Sequence, residues 1–478
     1  WLLGLIIVLG LCIGSLPVAR ATGAQGTWPS PWSCPESGRF GVATKGWIED
    51  YNVGILSAGW YHNFGLLAYP PSPASMRFVQ TIRLSDDDPP PDGASACSAC
   101  PTWSGLEGLI AANPGSLWLI GNEPDRQDYI YPVRYAELYH QFYSFIRSRD
   151  RTSRVGIGAV VQPTPVRLQY LDLILDAYQD LYAIQMPVDV WNTHNYILRE
   201  KRYYPGCPDC WGAGIPPGVP DDSGILYEIE DHDDLSYWTW HLTLLRQWMR
   251  DRGYRDRPLI VSEFGILMPE IYGFDYERVT TFMQATFNWM LNATDPQIGY
   301  PDDGNRLVQA WSWYSLDDSG FEGWLGASHL FDPDTLSITN LGLDFAALTA
   351  PLVTPAIDLQ PVAIWHSPPE PKDGPLVSFA VMSNVYNGGA KEATNVSVRF
   401  ERDGAPAGEV LIPSILPGET REVSVMWYLL FRGQRYEATV TVSAEAGVTE
   451  CDLSNNQLSV PLLATDITRH LPLVKASR

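Results

Sequence analysis

The sequence predicts an α/β chain in two parts. A (β/α)8 TIM barrel is expected over residues 39–350, followed by a small all-β, immunoglobulin-like sandwich over 357–465. Three observations carry this. Eight short apolar runs alternate with amphipathic helical stretches, the pattern of parallel β/α units. After the Pro-punctuated linker at 351–356, apolar residues recur at period two, as in antiparallel strands. Two of the apolar runs also stop abruptly at a glutamate, and a parallel barrel gathers its chemistry at the carboxyl ends of its strands.

Size and composition fit this division. At 478 residues the chain exceeds one ordinary domain. Its 45% hydrophobic and 18% charged content belongs to a well-cored protein and not a disordered one. Asp and Glu outnumber Lys and Arg by 55 to 32, and the net charge of −23 opposes nucleic acid or an anionic membrane as partner. The 18 Trp and 24 Tyr offer flat faces suited to the C–H faces of sugar rings, although most must serve the core.

Residues Trp1 to Val18 are almost continuously apolar and lead into Ala19-Arg20-Ala21, a small-x-small pattern. The segment 1–21 is expected to be a cleaved secretory signal, with an uncleaved anchor as the rival. Either places the bulk of the chain outside the cell, secreted or at the surface. Residues 22–38 are an aperiodic lead-in rich in Gly, Pro, Ser and Trp. The eight expected strands are Arg39–Thr44, Val53–Trp60, Met76–Leu84, Ser116–Gly121, Val155–Val161, Val188–His194, Pro258–Glu263 and Leu307–Tyr314. The helices between them are Val133–Arg149, Arg167–Tyr182, Leu235–Asp251 and Tyr276–Asn292, with a closing one near Leu343–Leu348. Glu123 then closes the fourth strand and Glu263 the seventh.

Two connections are too long for turns: Ser85–Ser104, acidic and Pro-rich, and Leu198–Asp234, which carries Tyr203, Tyr204, Trp211 and an acidic run. Both follow strands, so both are expected over the mouth, where long loops shape a substrate cleft. In the second part six alternating runs are expected as strands: Ile357–Trp365, Leu376–Ser383, Asn395–Glu401, Arg421–Trp427, Tyr436–Ser443 and Gln457–Leu462. Residues 466–478 form a tail.

Two carboxyl groups on separate strands are what hydrolysis of a glycosidic bond requires. One is protonated to assist the departing oxygen, and the other, ionised, attacks the anomeric carbon. Two acids in one cleft cannot both ionise cheaply, so their pKa values separate. His194 and Tyr196, two apart at the end of the sixth strand, can both face the mouth and donate to a carboxylate or a sugar. Trp311 and Trp313 share one face of the eighth strand, either as a floor beneath a sugar or as core. No cofactor and no catalytic metal is expected.

These residues resemble a known group. Asn122-Glu123-Pro124-Asp125 with Ser262-Glu263-Phe264-Gly265 is similar to clan A of the glycoside hydrolases, retaining (β/α)8 enzymes. Gly59-Trp60-Tyr61-His62-Asn63-Phe64, and Val188-Asp189 running on to His194 and Tyr196, resemble the glycosyl hydrolase catalytic-core family, which includes endo-β-1,3-glucanases. The resemblance implies Glu123 as acid/base, Glu263 as nucleophile, Asn122 on the sugar 2-hydroxyl, His194 and Tyr196 orienting the nucleophile, and Trp60 among the substrate contacts. From Ile357 onward, Ser383-Asn384, Asn387-Gly388-Gly389 and Glu450 to Asn456 resemble the bacterial cell-adhesion-related (CARDB) sandwich. Such domains are usually spacers or adhesive modules.

Six cysteines follow the apolar leader. Cys97/Cys100 and Cys207/Cys210 are C-x-x-C pairs on the two long loops; Cys34 and Cys451 show no obvious partner. Four thiolates would suit zinc, whereas export favours disulfides, and both options stay open. The expected protein is an exported, monomeric, retaining β-glycosidase acting on a polysaccharide, β-glucan first. The alternative is a non-catalytic carbohydrate-binding or adhesive surface protein on a degenerate barrel.

Overall fold

Short parallel strands carry the first part of the chain: β1 (Phe40–Ala43), β2 (Trp60–His62), β3 (Arg77–Phe78), β4 (Gln80–Ile82), β5 (Leu117–Asn122), β6 (Arg154–Ala159), β7 (Trp191–His194), β8 (Leu259–Phe264) and β9 (Ala310–Tyr314). Helices α1 (Trp103–Ala112), α2 (Pro132–Arg149), α3 (Pro165–Tyr182), α4 (Leu235–Asp251), α5 (Tyr276–Asn292) and α6 (Asn340–Thr349) are threaded between and after them. The computed structural model describes residues 36–85, 102–318 and 326–464, except 152, 208, 354, 355, 372, 390, 446, 447, 449, 452 and 454. The expected signal, most of the lead-in, the middle of the first long loop with Cys97 and Cys100, and the tail lie outside the described residues. No helix among the described residues is long and apolar enough to cross a membrane.

The strands form two parallel sheets, ordered β3-β2-β1-β9-β8-β7 and β4-β5-β6. Only Val79 separates β3 from β4, and parallel bridges Gly156–Val190 and Val160–Thr193 join the β6 side to the β7 side. The architecture is mixed α/β with parallel sheets. One strand face meets the helices in the large core, where Phe40, Trp118, Val155, Val261 and Trp311 lie with Tyr135, Ile174, Leu242 and Phe287. The other face carries a separate cluster of Trp60, Val79, Leu117, Leu119, Val190, Ile260 and Ala310. Alternate residues of one strand thus serve two apolar environments, which explains the nearly continuous hydrophobic runs.

Helix starts follow the usual chemistry. Pro132 and Pro165 occupy the first turns of α2 and α3, where a missing N–H costs nothing. Asp234 caps α4 by accepting from the Ser236 and Tyr237 N–H groups, and Asp275 caps α5 through Arg278 N–H. The acidic run before α4 is therefore taken up locally: Asp234 caps, Asp233 pairs with Arg278 at 2.5 Å, and Glu228 pairs with Arg199 at 2.7 Å.

Three expectations need correcting. Val53–Leu56 is a 3-10 turn and β2 begins only at Trp60, because a four-residue apolar run beside Asn52 and Gly54 does not commit to strand. Helix α1 is unforeseen: Gly105 and Gly108 lower its propensity, while a Thr102 cap accepting from Gly105 N–H at 3.1 Å fixes its start. The second part has one more strand than expected. It consists of β10 (Leu359–His366), β11 (Leu376–Asn387), β12 (Ala393–Arg402), β13 (Ala405–Ile415), β14 (Thr420–Phe431), β15 (Arg435–Ser443) and β16 (Gln457–Leu463). They form two antiparallel sheets, β10-β11-β14 and β13-β12-β15-β16, around a core including Phe379, Val398, Phe400, Trp427 and Val440. The added strand, β13, contains Pro406, Gly408 and Pro413. Those residues read as breakers, yet an edge strand tolerates them.

Candidate active site

The first glutamate is delivered by a kink. Gly121 has φ +98°, and Glu123 itself has φ 50°, a left-handed conformation that a residue with a side chain adopts at a cost. The turn that enforces it is well bonded: Arg126 and Asp128 N–H donate to the Glu123 carbonyl at 2.9 and 3.1 Å. The Asp128 carboxylate accepts from Asn122 N–H at 2.8 Å and Leu84 N–H at 3.1 Å, and pairs with Arg83 at 2.6 Å. Asn122 stands beside Glu123, its amide 3.3 Å from Gln127 Oε1.

A bulge delivers the second. The register of β8 shifts against both β7 and β9, and Glu263 stands opposite His194. Such a shift re-aims a side chain without ending the strand. The Tyr196 hydroxyl donates to Glu263 Oε1 at 2.7 Å, and His194 Nδ1 lies 3.7 Å from that oxygen and 3.0 Å from Glu123 Oε1. Ligand atoms of Glu123, His194 and Glu263 all lie within 4.8 Å of one another. The structure thus brings together Glu123, His194, Tyr196 and Glu263, four of the polar residues that the sequence singled out.

Burial dominates the electrostatics. It pushes the Glu123 carboxyl up, but the His194 hydrogen bond and charge, with Arg126 beside it, outweigh burial and hold Glu123 below the usual carboxylate range. Burial raises Glu263; His194 opposes this, and the Glu123 charge adds to it. Burial lowers His194, but the two carboxylates prevail and raise it. Burial and the Glu263 charge push the Tyr196 phenol well up, so it stays a donor. The pair is asymmetric, with Glu123 held below the usual carboxylate range and Glu263 above it.

The tryptophans are elsewhere. Trp60 is fully buried in the smaller apolar cluster, its indole donating to the Arg39 carbonyl at 3.2 Å. Trp311 and Trp313 do share a face, but it is the helix-side face. Trp311 packs edge-on to Phe40, and Trp313 packs against Phe264 and Phe287 while donating to Ser328 O at 2.9 Å. All three are fully buried and make no floor for a sugar. On the same strand Tyr314 lies near Glu263, its hydroxyl donating to Asp318.

Further buried residues brace the site from behind. Fully buried His62 donates from Nε2 to the Ser262 carbonyl at 2.7 Å, and burial lowers its pKa to about 4, so it braces β8 as a neutral ring. Buried Arg167 binds Asp125 at 2.7 Å, Glu200, and the Ala213 carbonyl at 2.8 Å, tying the Glu123 turn to the long loop after β7. Arg126 donates to Glu123 Oε2 at 3.2 Å. It sits three residues beyond Glu123, a spacing that could have drawn attention to it. The long loop itself is stapled by a Cys207–Cys210 disulfide, so this pair is not a pair of zinc thiolates, and Cys451 is disulfide-bonded as well. Tyr203 and Tyr204 on that loop are exposed. Glu123, His194 and Glu263 are close enough to surround a cation, but their facing atoms are already engaged with one another, with Arg126 and with Tyr196.

Residues 358–460 match the CARDB family, as the sandwich motifs led one to expect. No curated protein matches the chain. Among solved structures, it is similar to a GH128 (subgroup II) endo-β-1,3-glucanase from Sorangium cellulosum, at 15% identity over 65% of this chain and 98% of that one, with a TM-score of 0.40. It is also similar to a GH128 (subgroup V) exo-β-1,3-glucanase from Cryptococcus neoformans, at 15% identity over 65% and 98%, with a TM-score of 0.36. The second part is similar to a domain of a cell surface protein from Methanosarcina acetivorans, at 24% identity over 24% of this chain and 97% of that one, with a TM-score of 0.20.

Proposed function

We propose that the chain is an exported, retaining β-glycoside hydrolase that acts on a polysaccharide, β-glucan first, by a two-glutamate double displacement. In this reading the two parallel sheets close into one (β/α)8 barrel, with the site at the carboxyl ends of its strands. The observation that carries it is the convergence of Glu123 and Glu263, with ligand atoms within 4.8 Å across His194. Carboxylate oxygens this close support the retaining geometry, in which the carboxyl groups stand ~5–5.5 Å apart, over the inverting one at ~6.5–9.5 Å. The choice of β-glucan rests on the motif resemblance alone. Export is supported by the Cys207–Cys210 disulfide, which suits an oxidising compartment.

In the first step Glu123 gives its proton to the glycosidic oxygen as that bond breaks, and Glu263 Oε bonds to the anomeric carbon. Tyr196 and His194 hold the attacking carboxylate in place. In the second step Glu123, now ionised, takes a proton from water. The water oxygen bonds to the anomeric carbon and Glu263 departs, so the configuration is restored.

The test is sugar release from a panel of β-1,3-, β-1,4- and mixed-linkage glucans, with the anomer of the first product followed by NMR. Glu123→Gln and Glu263→Gln should each lower kcat on the order of 10²–10⁴-fold while preserving the fold, and the first product should be the β anomer. Binding without release by wild type across a broad glycan panel would favour the adhesive, non-catalytic reading instead.

A further inference from the structure

Both oxygens of Glu123 are occupied. Oε1 is held by His194 Nδ1 at 3.0 Å and Oε2 by Arg126 Nη1 at 3.2 Å, so a glycosidic oxygen approaching either one meets a donor already bonded there. The two donors differ in freedom. His194 is 1% exposed and fixed on β7; the Arg126 side chain is 37% exposed at the rim. Arg126 also has a second anchor, its Nε donating to the Gly212 carbonyl at 3.3 Å. That carbonyl belongs to a rigid perch. Gly212 has φ +96°, and a Cβ there would meet Arg199 backbone at 2.6 Å. Ala213 N–H donates to Arg199 O at 2.9 Å, Arg167 grips Ala213 O, and the Cys207–Cys210 staple lies just upstream.

We propose that Arg126 is a displaceable cap on the acid/base carboxylate, a positioning residue that pivots on Gly212 and sets the charge state of Glu123 between the two half-reactions. This rests on the double-displacement reading and deepens it. With the cap on, Glu123 is ionised, the form needed to activate water. When a leaving-group oxygen approaches Oε2 it displaces the guanidinium, one of the two cationic partners that oppose burial, and the Glu123 carboxyl shifts toward the protonated form needed to cleave the bond. The groups facing Glu123 are His194 and Tyr196 from the β7 end, Glu263 from β8, and Asp125 and Arg126 from its own turn. Of these, Arg126 is the one cation at the solvent edge.

Arg126→Met removes the charge but keeps the bulk of the side chain. The titration midpoint of the Glu123 carboxyl, read by NMR with 13C-labelled glutamate and assigned through Glu123→Gln, should rise by about one pH unit. Arg126→Lys should hold it near the wild-type position. In kinetics on β-1,3-glucan oligosaccharides, the basic limb of kcat/KM for a methyl aglycone should move up by a similar amount. A 2,4-dinitrophenyl aglycone, which leaves without a proton, should show no such shift. An unmoved midpoint, or an equal loss on both aglycones, overturns the cap. Failure of the hydrolase reading looks different: Glu123→Gln and Glu263→Gln would then leave every activity unchanged, whatever the midpoint does.

Discussion

A single carboxylate in this site owes its position to backbone that no pattern of apolar residues encodes. Glu123 and Glu263 were legible because each ends an apolar run and each sits in a compact polar motif; His194 and Tyr196 followed from their spacing on one strand. The sequence could show that Trp311 and Trp313 share a face but not which face, since a strand buried on both sides offers no polar contrast. Trp60 failed for the same reason. Arg126 gave no periodic signal, being a lone cation in a turn. The Tyr196 bond can be weighed on its own: a hydrogen bond to a charged partner is worth about 1.5–3 kcal/mol. Tyr196→Phe is therefore expected to lower kcat/KM roughly 10- to 100-fold with an unchanged melting temperature, measured by initial rates and thermal unfolding together. A normal rate would remove Tyr196 from the mechanism.

Among the elements, helices α2 to α5 are placed within two residues of expectation because long amphipathic stretches with Pro or Asp at their starts are strongly determined. Short elements were not. Strand β2 spans three residues, and β13 hides behind two prolines. The loops that frame the site are tied by His232, whose Nδ1–H donates to Ile197 O at 2.9 Å while Nε2 accepts from Leu267 N–H at 2.9 Å. That pairing demands a neutral ring, and burial lowers its pKa from 6.5 to about 4. The unfolded chain binds this proton first as pH falls. The stability His232 contributes is therefore fully present above pH 6.5 and is lost as pH drops through about 4, by up to about 3 kcal/mol. His62 and His241, lowered to about 4 and about 3 by burial, act in the same direction. Urea unfolding between pH 7 and 4.5 should show His232→Gln, which keeps a donor and an acceptor but cannot titrate, losing less stability than wild type. Parallel profiles would contradict this.

At the scale of the whole molecule, the two parts bury separate cores: the large cluster running from Phe40 to Phe345 and the sandwich cluster from Ile357 to Ala464 share no residue. Calorimetry should resolve two transitions, because each core satisfies its own burial. Substituting Phe379→Ala should lower one midpoint and leave the other in place; a single transition displaced as a unit would show the parts to be energetically fused. The sandwich margins have a quieter consequence. Three outer ribbons carry prolines: Pro361 in β10, Pro406 and Pro413 in β13, and Pro461 in β16. Each deletes a donor that an incoming chain would need. Crowded side by side, copies meet fewer open donors along these three margins, which leaves β14, the proline-free fourth one, as the ribbon along which they could knit. Replacing Pro361, Pro406 and Pro461 with valine should shorten the lag before thioflavin-positive fibrils form in concentrated solution.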